Sequence, residues 1–228
     1  MNSELFHHWV LFLSTLLKPY YNEEFTSSLF ITEKNLRDAK YLDHFPEQVF
    51  KLEQTHESES LYLTPAACLH VYPLFQDKVI ISSAVFTVGI CARYENGVWQ
   101  APYRLPNFHM AELVCMGDEG SMMKLQTEIK TLLENTFSAL GLSGTFKNAT
   151  DAFFLGNDMG AQMLQKIKGL KQEFTVFDGG LPIALFSINN HEDFFGKQFT
   201  IQTNGLPAYS ICIAFGIERL EKKKKKVW

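Results

Sequence analysis

The strand-like segments of this chain lie in its middle and at its end, without a regular alternation of strand and helix. They are rich in Val, Ile, Phe and Thr, which favour strands. The predicted segments are Val79–Tyr94, Phe108–Met116, Glu173–Phe177, Pro182–Ile188, Gln198–Gln202 and Tyr209–Phe215. A parallel sheet would need a helix after nearly every strand. The order therefore predicts an α+β fold with a mostly antiparallel sheet flanked by helices.

Two long segments have helical periodicity. In Asp118–Leu140 the apolar residues recur at three- and four-residue steps, and Gly141 marks the end. In Glu4–Lys18 the apolar stripe is broad, and Pro19 ends the helix. This stripe fits packing against a second subunit as well as packing within its own domain, and the pattern does not separate the two. Shorter helices are predicted at Glu33–Lys40 and Met159–Leu170.

Composition indicates a single globular domain. The 228 residues are 46% hydrophobic and 20% charged, with a formal net charge of -4. These values argue against disorder and against general binding of nucleic acid. The most apolar stretch, Trp9–Leu17, is shorter than the roughly 20 residues of a membrane span, and the first four residues lack the positive charge of a signal peptide. We expect one cytoplasmic domain over residues 1–228 that ends in a basic tail, residues 221–228.

The cysteines show no Cys-x-x-Cys spacing; they are Cys68, Cys91, Cys115 and Cys212. In a cytoplasmic protein they stay reduced, so each is a buried thiol, a metal ligand or a nucleophile. Spacing alone does not decide among these roles, because lone cysteines are often buried thiols.

Two arginine-containing segments suit phosphate binding. In Arg93-Tyr94-Glu95 the arginine and the glutamate share one face of a strand, and a guanidinium binds phosphate through two parallel hydrogen bonds. A surface ion pair is the more common outcome of that spacing. In the segment 214–220, a strand runs into Gly216 and a helix start, which places Arg219 in the first helical turn. An ordinary strand-to-helix junction has the same pattern.

These two segments resemble motifs 2 and 3 of the class II aminoacyl-tRNA synthetases. The likeness sharpens around Leu63-Thr64-Pro65-Ala66-Ala67-Cys68 and Val71-Tyr72-Pro73, which are similar to the amino acid:[carrier protein] ligases. Those ligases are truncated homologues of the catalytic domain of the atypical, zinc-dependent archaeal seryl-tRNA synthetases. Further similar segments are Asn35-Leu36, Tyr41-Leu42, Phe45-Pro46, Phe108-His109-Met110-Ala111-Glu112, Asp151-Ala152-Phe153-Phe154, Leu170-Lys171-Gln172-Glu173, Asn189-Asn190-His191 and Phe195-Gly196. The resemblance is collinear and covers about residues 30–220.

The resemblance implies a zinc site. In that family two cysteines and one glutamate hold the ion, and the matching residues here are Cys68, Glu112 and Cys212. Thiolates and a carboxylate are ordinary zinc ligands, and three protein ligands leave one position for substrate. That position is implied to take the amino group of the amino acid, with Glu112 also touching this amine and Ala66 lining the pocket. The other two cysteines have no matching role and are expected to be buried thiols.

The resemblance also implies an ATP site, with magnesium bridging the phosphates. Arg93 is implied to hold the α-phosphate, Glu95 to face the adenine and Arg219 to contact the γ-phosphate. The other implied nucleotide contacts are Arg104, Leu105, Lys171, Phe186, Ser187, Ile188 and Asn189. Arg93 and Arg219 are the implied catalytic residues, and they act by position and charge rather than as nucleophiles.

The implied activity is ATP-dependent activation of a small amino acid as aminoacyl-AMP, followed by transfer to the phosphopantetheine thiol of a carrier protein. Two departures keep alternatives open. His109 and Ala111 stand where the family usually has arginines, which allows another acceptor, either a small-molecule amine or a tRNA. The short N-terminus and the run Lys222–Lys226 also allow a non-catalytic scaffold. The lysine run itself is either a solvated tail or a docking patch for an acidic carrier protein.

Two further expectations concern assembly. The archaeal relatives carry an N-terminal tRNA-binding domain, and no segment of this sequence matches one. Class II synthetase folds are usually homodimers, and Glu4–Lys18 lies where their motif 1 helix forms the interface. We therefore expect a symmetric homodimer, with residues 1–30 as the dimerisation region.

Overall fold

The structure is a computed structural model that describes residues 3–53, 59–94, 103–149 and 168–224. Within these ranges the helices are α1 (Ser3–Leu17), α2 (Glu33–Asp38), α3 (Tyr41–His44), α4 (Glu119–Ala139), α5 (Phe194–Gln198) and α6 (Ile217–Lys224). The strands are β1 (Glu23–Thr26), β2 (Phe30–Thr32), β3 (Leu61–Leu63), β4 (Ser83–Ala92), β5 (Asn107–Gly117), β6 (Thr145–Asn148), β7 (Lys171–Asp178), β8 (Leu181–Glu192), β9 (Gln202–Thr203), β10 (Leu206–Pro207) and β11 (Tyr209–Gly216). Short 3₁₀ helices lie at Lys18–Tyr20, Pro46–Gln48, Ala67–His70 and Tyr72–Phe75.

One large sheet organises the described part of the chain. Its strand order is β1-β4-β5-β11-β8-β7-β6. The β1–β4 pair is parallel, and the other neighbouring pairs are antiparallel. The prediction of an α+β fold with a mostly antiparallel sheet is confirmed.

Three helices, α1, α4 and α6, pack on one face of this sheet. The apolar stripes of α1 and α4 bury Trp9, Leu13, Leu17, Ile129, Leu133 and Phe137 in the core. Phe174 and Phe186 on neighbouring strands stack in parallel below them, with ring centroids 4.7 Å apart. Burial of these large apolar side chains is the main favourable term that holds the helices on the sheet.

Both ends of α4 lie within one residue of the predicted ends. The Asp118 carboxylate accepts a hydrogen bond from the Ser121 backbone N–H at 3.0 Å, which satisfies an amide of the first turn. Gly141 follows the helix with a φ of 76°, in the left-handed region that favours glycine. The predicted helices Asp118–Leu140 and Glu4–Lys18 and the predicted strand Phe108–Met116 are confirmed to within two residues.

Short helices and turns cover the opposite face of the sheet. Tyr72 lies at the centre of this layer, fully buried, and its ring stacks on Phe195 with centroids 3.8 Å apart. Gly196 packs so closely that an added Cβ would lie 2.2 Å from the carbonyl oxygen of Ala208. These short elements are therefore fixed by tight packing rather than by their own length.

One predicted strand, Gln198–Gln202, is wrong. Helix α5 extends to Gln198, and Gln202 begins the two-residue strand β9. The backbone N–H of Phe199 donates to the carbonyl of Phe195 at 3.0 Å, which closes the last helical turn. Phe199 and Ile201 give the segment its strand-like composition, but here they bury in the core below the short helices. Tertiary packing overrides local propensity at this position.

The first four residues of the predicted basic tail, residues 221–228, are the last four of α6. Ile217 and Leu220 are fully buried and hold one side of this helix on the sheet. Lys223 is also buried, and its Nζ donates to the carbonyl of Phe177 at 2.7 Å. These contacts offset the repulsion between neighbouring lysines.

Some predictions fall outside the described residues. They concern Glu95, the motif Asp151-Ala152-Phe153-Phe154, the predicted helix Met159–Leu170 up to residue 167, and residues 225–228. Among the described helices, none combines the length and apolar character that a membrane crossing requires.

Candidate active site

Two cysteines and one glutamate meet on the face of the sheet that the short helices cover. The ligand atoms of Cys68, Glu112 and Cys212 all lie within 4.8 Å of one another, and all three side chains are buried. The Cys212 thiol donates to the Glu112 carboxylate at 3.0 Å. Over the described ranges no other group of His, Cys, Asp and Glu converges in this way. The three residues that the resemblance matched to a zinc site are thus brought together.

The sheet register explains this convergence. Ala214 on β11 pairs with Glu112 on β5, so the Cys212 side chain, two residues along β11, projects from the same face. Cys68 belongs to the 3₁₀ helix Ala67–His70, which packs on β4 and β5. The Ala67 backbone N–H donates to the Glu112 carboxylate at 2.9 Å and ties this turn to the strand.

A second set of buried hydrogen bonds holds the same turn from the other side. The Ser27 hydroxyl donates to the Ala67 carbonyl at 3.2 Å and lies 2.7 Å from the hydroxyl of Thr87, the strand partner of Glu112. His70, two residues after Cys68, instead lies 2.9 Å from the Thr64 hydroxyl. Hydrogen bonds from two sides therefore hold the turn that carries Cys68.

Burial and the Glu112 carboxylate control the protonation of both thiols in the cluster. The hydrogen bond with Cys68, together with burial and the Glu112 carboxylate, raises the pKa of Cys212 well above its ordinary value. The hydrogen bond with Cys212 lowers the pKa of Cys68, but burial and Glu112 outweigh it and raise that pKa. A divalent cation reverses this balance, because it binds and stabilises thiolates. Two sulfurs and one carboxylate form a donor set that suits zinc.

A cavity of about 950 Å³ contains the cluster in its wall. This volume is within the range of small-molecule and cofactor sites. The wall also includes most of the residues expected to bind nucleotide and substrate, namely Ala66, Arg93, Arg104, Leu105, Lys171, Phe186, Ser187, Asn189 and Arg219. The cavity thus brings the metal-ligand cluster and the basic residues to one site.

Arg93 lies just after the end of β4 at the cavity wall. Its backbone N–H donates to the Pro106 carbonyl at 3.1 Å, which continues the pairing toward β5. Its guanidinium carbon lies 4.8 Å from the centroid of the Phe108 ring. Stacking on an aromatic face orients the planar guanidinium, whose fork of donors matches the geometry of a phosphate. Arg104 is exposed at the same wall, and Leu105 is half-buried.

Strands β7 and β8 carry several of the residues that are expected to contact the nucleotide. Lys171 pairs with Asn189 across these strands, and its Nζ lies 3.5 Å from the Glu173 carboxylate. Ser187 and Asn189 line the cavity, whereas Ile188 is fully buried in the core on the opposite face. Strand alternation thus corrects the prediction for the Ile188 side chain, which faces away from the cavity.

Arg219 lies in the first turn of α6, as the strand-to-helix pattern predicts. Its Nε donates to the Tyr103 carbonyl and its Nη1 donates to the Ala184 carbonyl, both at 3.0 Å. Two backbone carbonyls from different parts of the chain therefore fix its guanidinium at the cavity wall.

His191 enters the cavity wall through a β-bulge that the sequence does not signal. In the β8–β11 pairing Asn190 lies opposite Ile211 and Glu192 opposite Ser210, so the register shifts at His191 and redirects its side chain. Its Nδ1 lies 3.3 Å from the Tyr72 hydroxyl. Burial lowers the pKa of His191 to about 3, so the imidazole is neutral at physiological pH.

His109 has a structural role at the position where the resemblance leads one to expect arginine. Its backbone N–H donates to both carboxylate oxygens of Glu218 at 3.0 Å, and its Nδ1 lies 2.7 Å from Oε1. Glu218 precedes Arg219, so this pair links β5 to the first turn of α6. No local signal in the sequence connects these residues, which lie 109 positions apart.

The other two cysteines are both free and fully buried. Cys115 lies in the core under the long helices, and burial raises its pKa to about 12. Cys91 lies at the end of β4, and burial raises its pKa well above the ordinary range. The expectation that they are buried thiols is confirmed.

A mostly antiparallel sheet with a large cavity on one face and long helices on the other defines a class II synthetase-like fold. Residues 50–221 match the family described as tRNA synthetase class II core domain (G, H, P, S and T). The chain belongs to this family. Its fold is similar to that of M. kandleri SerRS in complex with A. aeolicus tRNASec, with a TM-score of 0.79 and 16% identity over 96% of this chain and 50% of that one. It is also similar to Giardia lamblia prolyl-tRNA synthetase in complex with prolyl-adenylate, with a TM-score of 0.76 and 15% identity over 95% of this chain and 45% of that one.

Two curated proteins from Bradyrhizobium diazoefficiens are similar at the level of sequence. Amino acid--[acyl-carrier-protein] ligase 2 is 30% identical over 168 residues, which cover 70% of this chain and 49% of that protein. Amino acid--[acyl-carrier-protein] ligase 1 is 31% identical over 166 residues, which cover 70% of this chain and 50% of that protein. The chain spans about half the length of these relatives. The predicted resemblance to such ligases is confirmed.

Proposed function

We propose that this chain activates an amino acid with ATP as an aminoacyl adenylate and then transfers the aminoacyl group to the phosphopantetheine thiol of a carrier protein. The observation that carries the proposal is the shared cavity, in which the Cys68–Glu112–Cys212 cluster and Arg93 and Arg219 line one space. Adenylation needs the amino acid and the triphosphate to be held side by side. The named activity of the two Bradyrhizobium proteins supports a carrier protein as acceptor.

Zinc is the proposed ion of the cluster, held by Cys68, Glu112 and Cys212. Bound zinc would supply a Lewis-acidic position for the amino group of the substrate. The Ala67 N–H orients the Glu112 carboxylate, and we propose that this carboxylate also contacts that amine. Ala66, the residue before Ala67, lines the cavity and is proposed to contact the substrate, which we propose to be a small amino acid.

The first step joins the amino acid to the nucleotide. The amino acid carboxylate attacks the α-phosphorus, the bond to the oxygen that bridges to the β-phosphate breaks, and pyrophosphate leaves. Magnesium, when bound, would offset charge on the phosphates. Arg93 stabilises the charge at the α-phosphate, and Arg219 holds the γ-phosphate in line. The proposed nucleotide site is completed by Lys171, Arg104, Leu105, Glu95, Phe186, Ser187 and Asn189. Positioning and charge do the chemistry, without a protein nucleophile.

The second step forms a thioester. The phosphopantetheine thiol gives its proton to water and attacks the carbonyl carbon of the adenylate. The bond between that carbon and the phosphate oxygen breaks, and AMP leaves. The whole of residues 1–228 is proposed to act as one catalytic domain in both steps.

Pyrophosphate exchange tests the first step. With zinc and magnesium present, we expect the purified protein to exchange labelled pyrophosphate into ATP when one small amino acid is supplied, and not with most others. A panel of all common amino acids is the measurement. Absence of exchange with every member would contradict the proposal.

Mass spectrometry of a carrier protein tests the second step of the same function. After incubation with enzyme, ATP and the active amino acid, we expect the carrier to gain the mass of one aminoacyl group. The matched control is the same carrier without phosphopantetheine, which we expect to gain nothing. Exchange without any gain on the carrier would point instead to a small-molecule amine or a tRNA as acceptor.

A symmetric homodimer is proposed for the assembly. Helix α1 buries Trp9, Leu13 and Leu17 in its own core but leaves Leu11 66% exposed, which supports a contact with a second copy. We expect the dimer mass in light scattering at micromolar concentration, and a shift toward monomer for Leu11→Asp because a charge at an apolar contact is unfavourable. A monomer mass for the unmodified chain would contradict this proposal.

A further inference from the structure

Lys223 is a buried cation within a run of lysines. Its side chain is 8% exposed, whereas its neighbour Lys222 is exposed. The Lys223 Nζ donates to the Phe177 carbonyl at 2.7 Å and lies 3.4 Å from the Asp178 carboxylate. Lysine is rarely buried unless it is paired. Lys223 therefore has specific partners in the fold and is not a solvated lysine.

Asp178 extends the contact toward the cavity. It accepts a hydrogen bond from the Tyr103 hydroxyl. Burial, followed by the hydrogen bond and the charge of Asp178, raises the pKa of Tyr103 to about 12, so the phenol keeps its proton and stays a donor. Tyr103 lines the cavity and directly precedes Arg104. The lysine–aspartate pair is therefore connected to the segment that begins the proposed nucleotide wall.

Tyr103 also contacts α6 through its backbone carbonyl. Its carbonyl accepts the hydrogen bond from Arg219 Nε at 3.0 Å, and Arg219 Nη1 donates to the Ala184 carbonyl. Arg219 and Lys223 are four residues apart, so they lie one above the other on the same side of this helix. The contacts close a ring from Lys223 through Asp178 and Tyr103 to Arg219 and back along the helix.

We infer that Lys223 is a positioning residue for ATP binding, which acts by fixing Arg219 and Tyr103 against the β7–β8 hairpin. The inference rests on the proposed function, because it takes Arg219 as a triphosphate ligand. Because Lys223 is held one helical turn after Arg219, α6 cannot tilt freely. The Arg219 guanidinium therefore stays at the cavity wall before ATP binds. Such preorganisation lowers the cost of binding.

The test compares two lysines of the same run. Lys223→Met keeps the length and apolar stem but removes the charge, and we expect the Kd for ATP, measured by calorimetry, to rise about tenfold, the effect of releasing one charge-assisted hydrogen bond. The KM for ATP in exchange should rise in parallel, while the KM for the amino acid changes less than about twofold. Lys222→Met, at the exposed neighbour, should behave as the unmodified protein.

Two further variants separate positioning from stability. Leu133→Ala removes a buried side chain of α4, a helix that supplies none of these contacts, and it should lower Tm without changing the Kd for ATP. Tyr103→Phe removes one hydroxyl and should raise that Kd about threefold. Because Tyr103 and Lys223 act through one path, the double variant should weaken ATP binding by less than the product of the single effects.

The outcomes distinguish this inference from the proposed function. If the unmodified protein neither binds ATP nor supports exchange, the proposed function fails. If it binds ATP and Lys223→Met lowers Tm with an unchanged Kd, Lys223 is a stabilising residue and the inference is overturned. If Lys223→Met does not fold, Tyr103→Phe decides, and an unchanged Kd in that variant also overturns the inference.

Discussion

Cys212→Ala should lose both its bound zinc and its amino acid-dependent pyrophosphate exchange. The variant removes one of two sulfurs from a cluster whose ligand atoms lie within 4.8 Å of one another. The remaining Cys68 and Glu112 offer too few protein ligands for a tetrahedral zinc site. We expect exchange to fall about a thousandfold, which corresponds to about 4 kcal/mol of lost transition-state stabilisation.

A second buried cysteine provides the matched control. Cys115 is also free and fully buried, but it lies in the core on the other face of the sheet. Cys115→Ala should keep its zinc and its exchange activity, with at most a moderate loss of Tm. Metal content by elemental analysis and the exchange rate are measured on both variants. Zinc bound at the same stoichiometry in Cys212→Ala and in the unmodified protein would contradict the assignment of this ligand.

The sheet was predictable from the sequence because its strands follow composition and alternation. Strand β5 extends only one residue beyond the predicted Phe108–Met116 at each end. Local rules failed where packing decided, as at Gln198–Gln202. They failed again in the lysine run, where the Phe177 carbonyl and the Asp178 carboxylate bind Lys223. Those partners are distant in sequence, so no local pattern predicts them.

The candidate site was predictable only through the resemblance. Cys212 lies 100 residues after Glu112, and such a spacing has no meaning without the register of β5 and β11. Once that register is known, Ala214 opposite Glu112 places Cys212 on the correct face. The bulge at His191 depends on the pairing of β8 with β11, and the pair of His109 with Glu218 depends on the pairing of β5 with β11. The candidate site depends on which residues lie on the same face of the sheet. That grouping cannot be read from the sequence without the strand pairing.

Arg93→Ala should reduce exchange about a thousandfold while zinc stays bound, because charge that develops at the α-phosphate loses its guanidinium partner. The argument rests on placement: Arg93 lies in the wall of the cavity that holds the cysteine cluster and stacks 4.8 Å from the Phe108 ring centroid. Retained zinc separates this loss from that of Cys212→Ala, since the cluster does not include Arg93. Exchange rate and metal content, measured together, check the expectation.

The conservative variant Arg93→Lys sharpens the same prediction. Lysine keeps the charge but lacks the planar fork, so we expect it to recover about tenfold of the lost rate and no more. The control is Arg37→Ala, because the Arg37 guanidinium is 61% exposed and pairs with Glu33 at 2.6 Å on the surface of α2. Surface ion pairs contribute little, so this variant should exchange at the normal rate. Exchange by Arg93→Ala within about threefold of the unmodified protein would remove Arg93 from the reaction, since a group that stabilises a transition state contributes far more than that.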